Sequence, residues 1–264
     1  LNSAKKHVNE WLQERVDQGL SAWTVQTEAK ALGKLYGISS EDKNYFKPPK
    51  RNRVDITRSR GDKVRDRHFS EKNNAELVKF CKGTGLRRRE LVALKGECIM
   101  SKEEIQAKIK ELEGRALSEA DTKYLNILKD ANLFNAEHFT VVLNGKGGRD
   151  RISPIIGPHA NQIVQRIQNT RAGEKVWQHV STNADIHGYR GDYATTMYKD
   201  YARAIEDIPF DRVNKGTGRA YQSDVYTCRK DEKGRKLDKR AMFLCSKALG
   251  HNRVEVVANN YIRG

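Results

Sequence analysis

The chain of 264 residues is long enough to bury a sizeable core and to form one large domain, with or without a second small one. Its composition, 37% hydrophobic and 32% charged, is typical of a folded protein and argues against general disorder. The 50 Lys and Arg residues outnumber the 34 Asp and Glu residues and give a net charge of +16. Such an excess favours a polyanionic partner, most simply a nucleic acid, over a merely soluble surface. The charge alone does not distinguish DNA from RNA, or a binding protein from an enzyme.

Residues that bind metals or form disulfides are few and scattered. None of the four cysteines stands in a C-x-x-C pair, and none of the seven histidines pairs with a cysteine at zinc spacing. We therefore expect free thiols in a reducing cytosol, no metal site and no cofactor. No stretch approaches the roughly 18 apolar residues of a membrane span, and no signal peptide is visible, so we expect no membrane partner. Leu1 is not an initiator methionine, and we expect the chain to be a piece of a longer one.

The start of the chain carries two amphipathic helical patterns. The first predicts a helix over residues 3–20 with Ser3 as its N-cap, and the second predicts a helix over residues 24–36 that ends at Gly37. The apolar positions are Val8, Trp11, Leu12 and Val16 in the first helix and Val25, Leu32 and Leu35 in the second. We expect the two helices to form a small unit of their own.

A run of basic residues follows this helical unit. This run can be a solvated linker, and it can also follow a phosphate backbone while it joins two domains. The two interpretations are compatible. The cations of this run that we expect to contact nucleic acid are Lys50, Arg51, Arg53, Arg58, Arg60, Lys63 and Arg65.

A larger domain is expected from about Phe69 onward, with a mainly α fold and a small β-sheet (α+β). Ser101 and Glu104 form a capping-box pattern that opens a helix ending near Gly114. The other predicted helices cover residues 70–82, 86–95, 118–131, 158–171, 185–206, 241–249 and 253–261. Two hairpins are predicted: residues 138–143 pair with 151–155 through a turn that starts at Asn144–Gly145, and residues 224–228 pair with 235–239.

Two glycine-flanked segments carry basic side chains. In the first, Gly83–Thr84–Gly85–Leu86–Arg87, the glycines permit a tight turn and place Arg87 near the start of a helix. In the second, Lys146 lies between glycines at a hairpin tip, where its side chain can reach into a groove. Each segment, taken alone, is also compatible with an ordinary turn and a solvated surface. The second lacks the spacing of a Walker A phosphate loop.

Two further segments contain histidines. His187 and Arg190 are three residues apart and therefore share one face of a predicted helix, whose Tyr189, Tyr193 and Met197 we expect in the core. Leu249–Gly250–His251 precedes Tyr261 by ten residues. Taken alone, Gly250 would be a helix C-cap and His251 a surface residue.

In this order, the four segments resemble the tyrosine recombinase family, of the type found in phage and conjugative-transposon integrases. The resemblance covers residues 69–264, and the first two helices are more loosely similar to the family's core-binding domain. It implies a partial helical core-binding domain over residues 1–47, a basic linker over 48–68 and a catalytic domain over 69–264. The segment 203–240 is longer than such enzymes need, and we expect this insertion to contact DNA or a second protomer, unless it is a mere surface excursion.

The resemblance implies a metal- and ATP-independent DNA strand transferase. Arg87 and Arg190 would hold the nonbridging oxygens of a phosphodiester, and Tyr261 would attack the phosphorus. The product would be a 3′-phosphotyrosyl link and a free 5′-hydroxyl. The link conserves the energy of the broken bond, so a new 5′-hydroxyl could be joined without ATP.

The resemblance also assigns roles to the neighbouring side chains. His187 would accept or orient the phenol proton, His251 would donate a hydrogen bond to the phosphate, and Lys146 would protonate the leaving 5′ oxygen. Glu90 would support the region around Arg87. Further DNA contacts are expected from Arg88, Arg89, Arg149 and Arg151.

The implied biology is integration, recombination or transposition of a mobile element in the bacterial cytosol, at the nucleoid. Four protomers would act on double-stranded DNA, assembling through dimers and exchanging strands through a Holliday junction. Binding should weaken steeply with salt. Type IB topoisomerases and hairpin-forming resolvases use the same chemistry and are the nearest alternatives. A non-catalytic DNA-binding protein is a third possibility, whereas a metal-dependent nuclease is disfavoured because no carboxylate cluster stands out.

Overall fold

The computed structural model describes residues 2–39, 41–43, 45–51, 69–208, 210–214, 219–228, 232–251 and 253–262. Within these ranges the protein is mainly α-helical with small antiparallel sheets, which confirms the predicted α+β class. No helix of the described part is both long enough and apolar enough to cross a bilayer. The chain divides into two compact units, Leu1–Thr57 and Arg58–Gly264. The predicted DNA contacts Arg53, Arg58, Arg60, Lys63 and Arg65 lie outside the described residues.

The described part of the first unit contains three helices: α1 (Asn2–Lys5), α2 (Val8–Asp17) and α3 (Ala22–Tyr36). The prediction of one helix over residues 3–20 with Ser3 as N-cap is wrong, because Ser3 lies inside α1 and the chain turns before Val8. The second prediction is closer, since α3 ends at Tyr36 and Gly37 caps it at a φ of +62°.

The small core of this unit is formed by Val8 and Leu12 of α2 against Ala29 of α3. Two of the apolar positions of the predicted helices lie outside this core: Trp11 is 41% exposed and Leu35 is 62% exposed. Among the basic residues at the end of this unit, Lys50 is exposed and Arg51 lies over the ring of Trp23.

The second unit contains eight further helices in its described part. Their bounds are α4 (Ala75–Thr84), α5 (Arg88–Ala93), α6 (Lys102–Glu113), α7 (Glu119–Lys129), α8 (Ala160–Gln168), α9 (Ile186–Tyr201), α10 (Lys239–Ala248) and α11 (Glu255–Asn260). Short 3₁₀ turns cover Gly96–Cys98, Asp130–Leu133 and Ile205–Asp207. Helix α6 begins with the predicted capping box: the Ser101 hydroxyl accepts from the Glu104 amide at 3.2 Å, and the Glu104 carboxylate accepts from the Ser101 amide at 2.7 Å.

Three strands form the sheet that carries Lys146 at a hairpin tip. Strands β1 (Ile99–Ser101), β2 (His138–Gly145) and β3 (Arg149–Pro154) are antiparallel in that order. The predicted turn at Asn144–Gly145 is misplaced, because both residues end β2 and the turn is Lys146–Gly148. Gly147 and Gly148 have φ values of +77° and +69°, so the glycines that follow Lys146 make this turn without steric cost.

Two small hairpins lie within the segment that precedes α10. The predicted hairpin is confirmed as β6 (Val225–Thr227) paired with β7 (Lys236–Asp238). A second hairpin, β4 (Phe210–Asn214) with β5 (Arg219–Ser223), was not predicted. Arg203 fixes the base of the β6–β7 hairpin. Its guanidinium binds the buried carboxylate of Asp238 at 2.8 Å and the carboxylate of Asp224 at 2.9 Å.

Helix α9 runs between the two hydrophobic clusters of the second unit. The predicted core residues of α9 are confirmed: Tyr193 and Met197 face the cluster built on α6, α7, α10 and α11, and Tyr189 faces the cluster built on α4, α5 and α8. Because one helix contributes to both clusters, the polar residues of its first turn are held at the junction between them.

The end of α4 packs tightly against α9 at Gly85. Gly85 caps α4 at a φ of +60°, and a Cβ atom there would lie 2.4 Å from the Tyr193 ring. That ring cannot swing aside easily, because its hydroxyl donates to the Pro154 carbonyl at 2.8 Å. Only glycine therefore allows this close approach.

We expect Gly85→Ala to lower the free energy of unfolding by about 2–4 kcal/mol, since it combines left-handed backbone strain with overpacking. The matched control is Gly157→Ala, where φ is +86° but an added Cβ meets nothing within 4 Å. That variant should lose only about 1 kcal/mol, from strain alone. Urea denaturation of both variants measures the difference, and equal losses would contradict the packing argument.

Candidate active site

Four separate segments of the second unit meet at one cleft of about 710 Å³. The cleft is lined by the start of α5, the tip between β2 and β3, the first turn of α9, and the chain around α10 and α11. All six residues predicted to carry chemistry line it, namely Arg87, Lys146, His187, Arg190, His251 and Tyr261. Residues far apart in sequence are thus brought together by the packing of these helices against the sheet.

Tyr261 follows directly on α11, and only 6% of it is exposed. Its neighbours Val257, Ala258 and Ile262 are buried in the core and fix the position of its ring. The phenolic oxygen lies 3.4 Å from Nε of Arg190, which donates to it, and 3.2 Å from Nε2 of His251. The ten-residue spacing between His251 and Tyr261 therefore still allows the two side chains to meet.

Arg190 is almost completely buried on α9. Its two Nη atoms donate to the carbonyls of Gly85 and Leu249, and its Nε donates to Tyr261. Burial first, and then the nearby charges of Arg151 and Arg87, lower the pKa of Arg190 to about 10. Arg190 is therefore still a cation at neutral pH, although it is held away from water.

Arg87 is fixed by one carboxylate and one carbonyl. Its Nη1 donates to Glu90 at 2.8 Å, its Nη2 donates to the Leu249 carbonyl at 3.0 Å, and its backbone amide donates to Glu90 at 2.7 Å. Arg87 is the N-cap of α5 and Glu90 is in its first turn, where a carboxylate is favoured by the helix dipole. The Leu249 carbonyl, which also accepts from Arg190, joins the two arginines.

Glu90 also binds a second arginine, Arg151 of β3. Both Nη atoms of Arg151 donate to the two carboxylate oxygens, at 2.8 and 2.7 Å. Burial alone would raise the pKa of Glu90, but the hydrogen bonds and charge of Arg151, together with those of Arg87, lower it to about 2. Glu90 is therefore a permanent anion between two cations, and the predicted support of Arg87 by Glu90 has a geometric basis.

Two of the predicted DNA contacts have side chains that bond within the protein. The burial of Arg151 contradicts its prediction, whereas Arg88 still lines the cleft. Arg151 is only 4% exposed, pairs with Glu90 and donates its Nε to the Ala248 carbonyl at 2.9 Å. Arg88 donates to the backbone carbonyls of Ser181, Thr182 and Ala184. Arg89 and Arg149 are exposed, and Arg149 lines the cleft.

His251 lies in the turn that follows α10. Gly250 has a φ of +66°, and the His251 amide donates to the Ser246 carbonyl at 2.8 Å. Burial, and then the charges of four nearby arginines, lower the pKa of His251 to about 4. These arginines are Arg190, Arg87, Arg151 and Arg149. The imidazole is therefore neutral at neutral pH.

Lys146 and His187 are the exposed members of the set. Lys146 lies at the tip between β2 and β3, and His187 lies in the first turn of α9. The Asp185 carboxylate caps that turn by accepting from the Gly188 amide at 2.9 Å. The His187 and Tyr261 rings have centroids 5.6 Å apart and are tilted by 56°.

Sequence reasoning missed the two interactions that fix the arginines. The Leu249 carbonyl is a backbone atom, and no residue type announces that it accepts from both Arg87 and Arg190. The role of Arg151 had no clear signal, because alternation along β3 would place it on the same face as exposed Arg149.

Within the described ranges, no group of three or more His, Cys, Asp or Glu side chains is placed to hold a metal ion. Comparison with protein-family models finds no match to this chain, and a search of curated proteins also finds none. The chemistry of the cleft must therefore be argued from its own geometry.

We expect Glu90→Gln to lower the free energy of unfolding at pH 7 by about 3 kcal/mol, since it removes the charge between buried Arg151 and half-buried Arg87. The folded-state pKa of Glu90 is lowered from 4.5 to about 2, so its contribution is present above pH 4.5 and is lost as pH falls towards 2. The difference between the variant and the unmodified protein should therefore shrink over that interval.

Urea denaturation at pH 7 and pH 3 measures this effect. The matched control is Glu76→Gln, which removes an ion pair to Arg166 from a carboxylate that is 67% exposed. It should cost less than about 1 kcal/mol. A similar cost for the two variants at pH 7 would show that the Glu90 network is not a special constraint.

Proposed function

We propose that this chain is a tyrosine recombinase, a DNA strand transferase that cuts and rejoins DNA through a covalent phosphotyrosine at Tyr261. The observation that carries the proposal is the pair of contacts at its phenolic oxygen, 3.4 Å from Arg190 Nε and 3.2 Å from His251 Nε2, inside a cleft that Arg87 and Lys146 also line. A phenol surrounded by cations and histidines is poorly placed for a purely structural role, but it is suited to attack on a phosphodiester.

The arginines account for recognition of the phosphate. Arg87 is partly exposed to the cleft, and Arg190 is buried beside the phenol. A guanidinium offers five N–H donors, so both arginines retain donors beyond those used within the protein. Fixed cations of this kind stabilise the charge that grows on the nonbridging oxygens as the phosphorus is attacked.

The reaction conserves the energy of the bond that it breaks. Tyr261 forms an O–P bond as the 5′ oxygen leaves, so the product is a phosphotyrosine with a free 5′-hydroxyl. A different 5′-hydroxyl can then attack the same phosphorus and release Tyr261. We propose that this exchange occurs on double-stranded DNA between four protomers, through a Holliday junction, during integration or transposition of a mobile element.

Charge supports DNA as the substrate. The chain has a net charge of +16, and the cleft carries the exposed cations Lys146 and Arg149 at its β2–β3 tip. Exposed cations beside a reactive phenol would attract and orient a phosphate backbone, which is the part of DNA that most protein cations contact.

The direct test is capture of a covalent protein–DNA adduct. The protein is incubated in EDTA with a pool of nicked duplexes of randomised sequence, and products are separated on a denaturing gel. We expect an adduct that requires Tyr261 and no metal, and that is absent with Tyr261→Phe. The matched control, Tyr198→Phe, changes a tyrosine outside the cleft and should retain the adduct.

An adduct that survives Tyr261→Phe would exclude Tyr261 as the nucleophile. Absence of any adduct with the unmodified protein would contradict the proposed function. The captured sequences then provide a substrate for a second assay, in which joining of two duplexes indicates a recombinase and relaxation of one supercoiled plasmid indicates a topoisomerase.

We expect Lys146→Ala to slow adduct formation by about 10²–10⁴-fold, because an alkoxide leaves poorly unless an acid protonates it. Replacing the leaving 5′ oxygen by sulfur should restore most of the rate, since a thiolate leaves without a proton. Rates on the oxygen and sulfur substrates measure this rescue. Equal defects of Lys146→Ala on both substrates would rule out proton donation by Lys146.

A further inference from the structure

The Tyr261 hydroxyl contacts two side chains, and only one of them can accept its proton. Arg190 can only donate hydrogen bonds, so the phenolic oxygen must be the acceptor in its 3.4 Å contact with Nε. The phenol still carries its own proton. Nε2 of His251 lies 3.2 Å from the same oxygen, which is within reach for a proton transfer.

We infer that His251, not His187, accepts the phenol proton during attack. This inference rests on the proposed function, and it reassigns His251 from donating a hydrogen bond to the phosphate to acting as a general base. His251 must then be the tautomer with its proton on Nδ1, so that Nε2 carries the lone pair that faces Tyr261.

The alternative tautomer fits the contacts less well. If His251 carried its proton on Nε2, both Arg190 and His251 would donate to the phenolic oxygen. The phenol proton would then have to find another acceptor around a side chain that is only 6% exposed. With the proton of His251 on Nδ1, each of the two contacts has one donor and one acceptor.

The position of His187 is different. Its ring packs obliquely beside the Tyr261 ring, with centroids 5.6 Å apart, and its side chain is exposed in the first turn of α9. Such a position suits contact with a bound phosphate or with DNA. His251 is held by its backbone, because its amide and its carbonyl both bond to Ser246.

The charges around His251 keep its imidazole neutral, with a free lone pair, although they also make it a weaker base. The surrounding groups are Arg87 at the start of α5, Arg149 and Arg151 on β3, Arg190 on α9 and Tyr261 after α11. The four cations and burial lower the pKa of His251 to about 4, so its lone pair is available at neutral pH. A bound phosphate would offset part of this positive charge and make the imidazole more basic when substrate is present.

The proton balance of the complete cycle is closed. As the Tyr261 oxygen bonds to phosphorus, its proton moves to Nε2 of His251, and the leaving 5′ oxygen takes a proton from Lys146. In rejoining, the incoming 5′-hydroxyl returns its proton to Lys146, and His251 returns its proton to the released phenol oxygen. No redox partner or further reactant is needed.

The first test is the tautomer of His251 in the free, ¹⁵N-labelled protein at pH 7. Long-range ¹H–¹⁵N spectra distinguish the two neutral forms, and the spectrum of His251→Gln identifies the signal of His251. We expect the proton on Nδ1. A proton on Nε2 would overturn the inference, and this outcome needs no DNA and no variant activity.

The second test uses a nicked duplex recovered from the randomised pool, carrying sulfur at the leaving position so that Lys146 is no longer required. We expect His251→Gln to slow adduct formation by about 10²–10⁴-fold and to remove the fall in rate towards acidic pH. His187→Gln should keep that fall in rate. The reverse pattern would assign the proton to His187.

Failure of the inference is distinct from failure of the proposed function. No adduct with the unmodified protein would refute the recombinase proposal itself. A normal adduct that requires Tyr261, found together with a proton on Nε2 of His251, would refute only the role of His251.

Discussion

The carboxylate of Glu90 is the constraint on which the arrangement of the cleft depends. It joins Arg87 at the start of α5 to Arg151 of β3, and both guanidinium groups bind it within 2.8 Å. Without this anion, two cations would face each other in a partly buried region where charge is poorly screened. With it, a helix start and the strand that follows the Lys146 tip are fixed relative to each other.

The same constraint extends to the histidine and the phenol. Arg151 binds the Ala248 carbonyl at the end of α10, and Arg87 binds the next carbonyl, that of Leu249. A Cβ atom on Gly250 would lie 2.8 Å from the Arg151 side chain, so the turn that carries His251 packs directly on this arginine. The position of His251 beside Tyr261 therefore depends on side chains from α5 and β3. In the proposed reaction, such a network would hold the reacting groups in place before a phosphate binds.

Features set by residues close in sequence could be predicted, whereas contacts between residues far apart in sequence could not. The capping box at Ser101 and the glycine cap at Gly37 depend on residues a few positions apart, and both are present as predicted. The break before Val8 was not predicted, because no glycine or proline marks it in the sequence. The hairpin of β4 and β5 also escaped notice, since it lies in a polar stretch without strong alternation.

The candidate site shows the same division between local and distant information. The four short motifs predicted which six side chains would line the cleft, and the structure brings them together there. They did not predict the fate of Arg151, because Glu90 lies 61 residues away from it in the sequence. An arginine in a basic stretch is most simply assigned to the surface, and only the packed structure shows that this one faces a carboxylate. The motifs were likewise silent on the Leu249 carbonyl.

The clustering of four arginines around one histidine has a consequence for how the site would respond to its substrate. Burial, and then repulsion from Arg151 and Arg87, lower the pKa of Arg190, and the positive charge of the cleft is only partly balanced by Glu90. In the proposed reaction, a phosphodiester entering the cleft would supply the missing negative charge and would be attracted for that reason. The same negative charge weakens the field that disfavours a proton on His251. Binding of the phosphate and readiness to deprotonate Tyr261 would therefore be coupled through the arginines, and the phenol would be activated only where there is a phosphorus to attack.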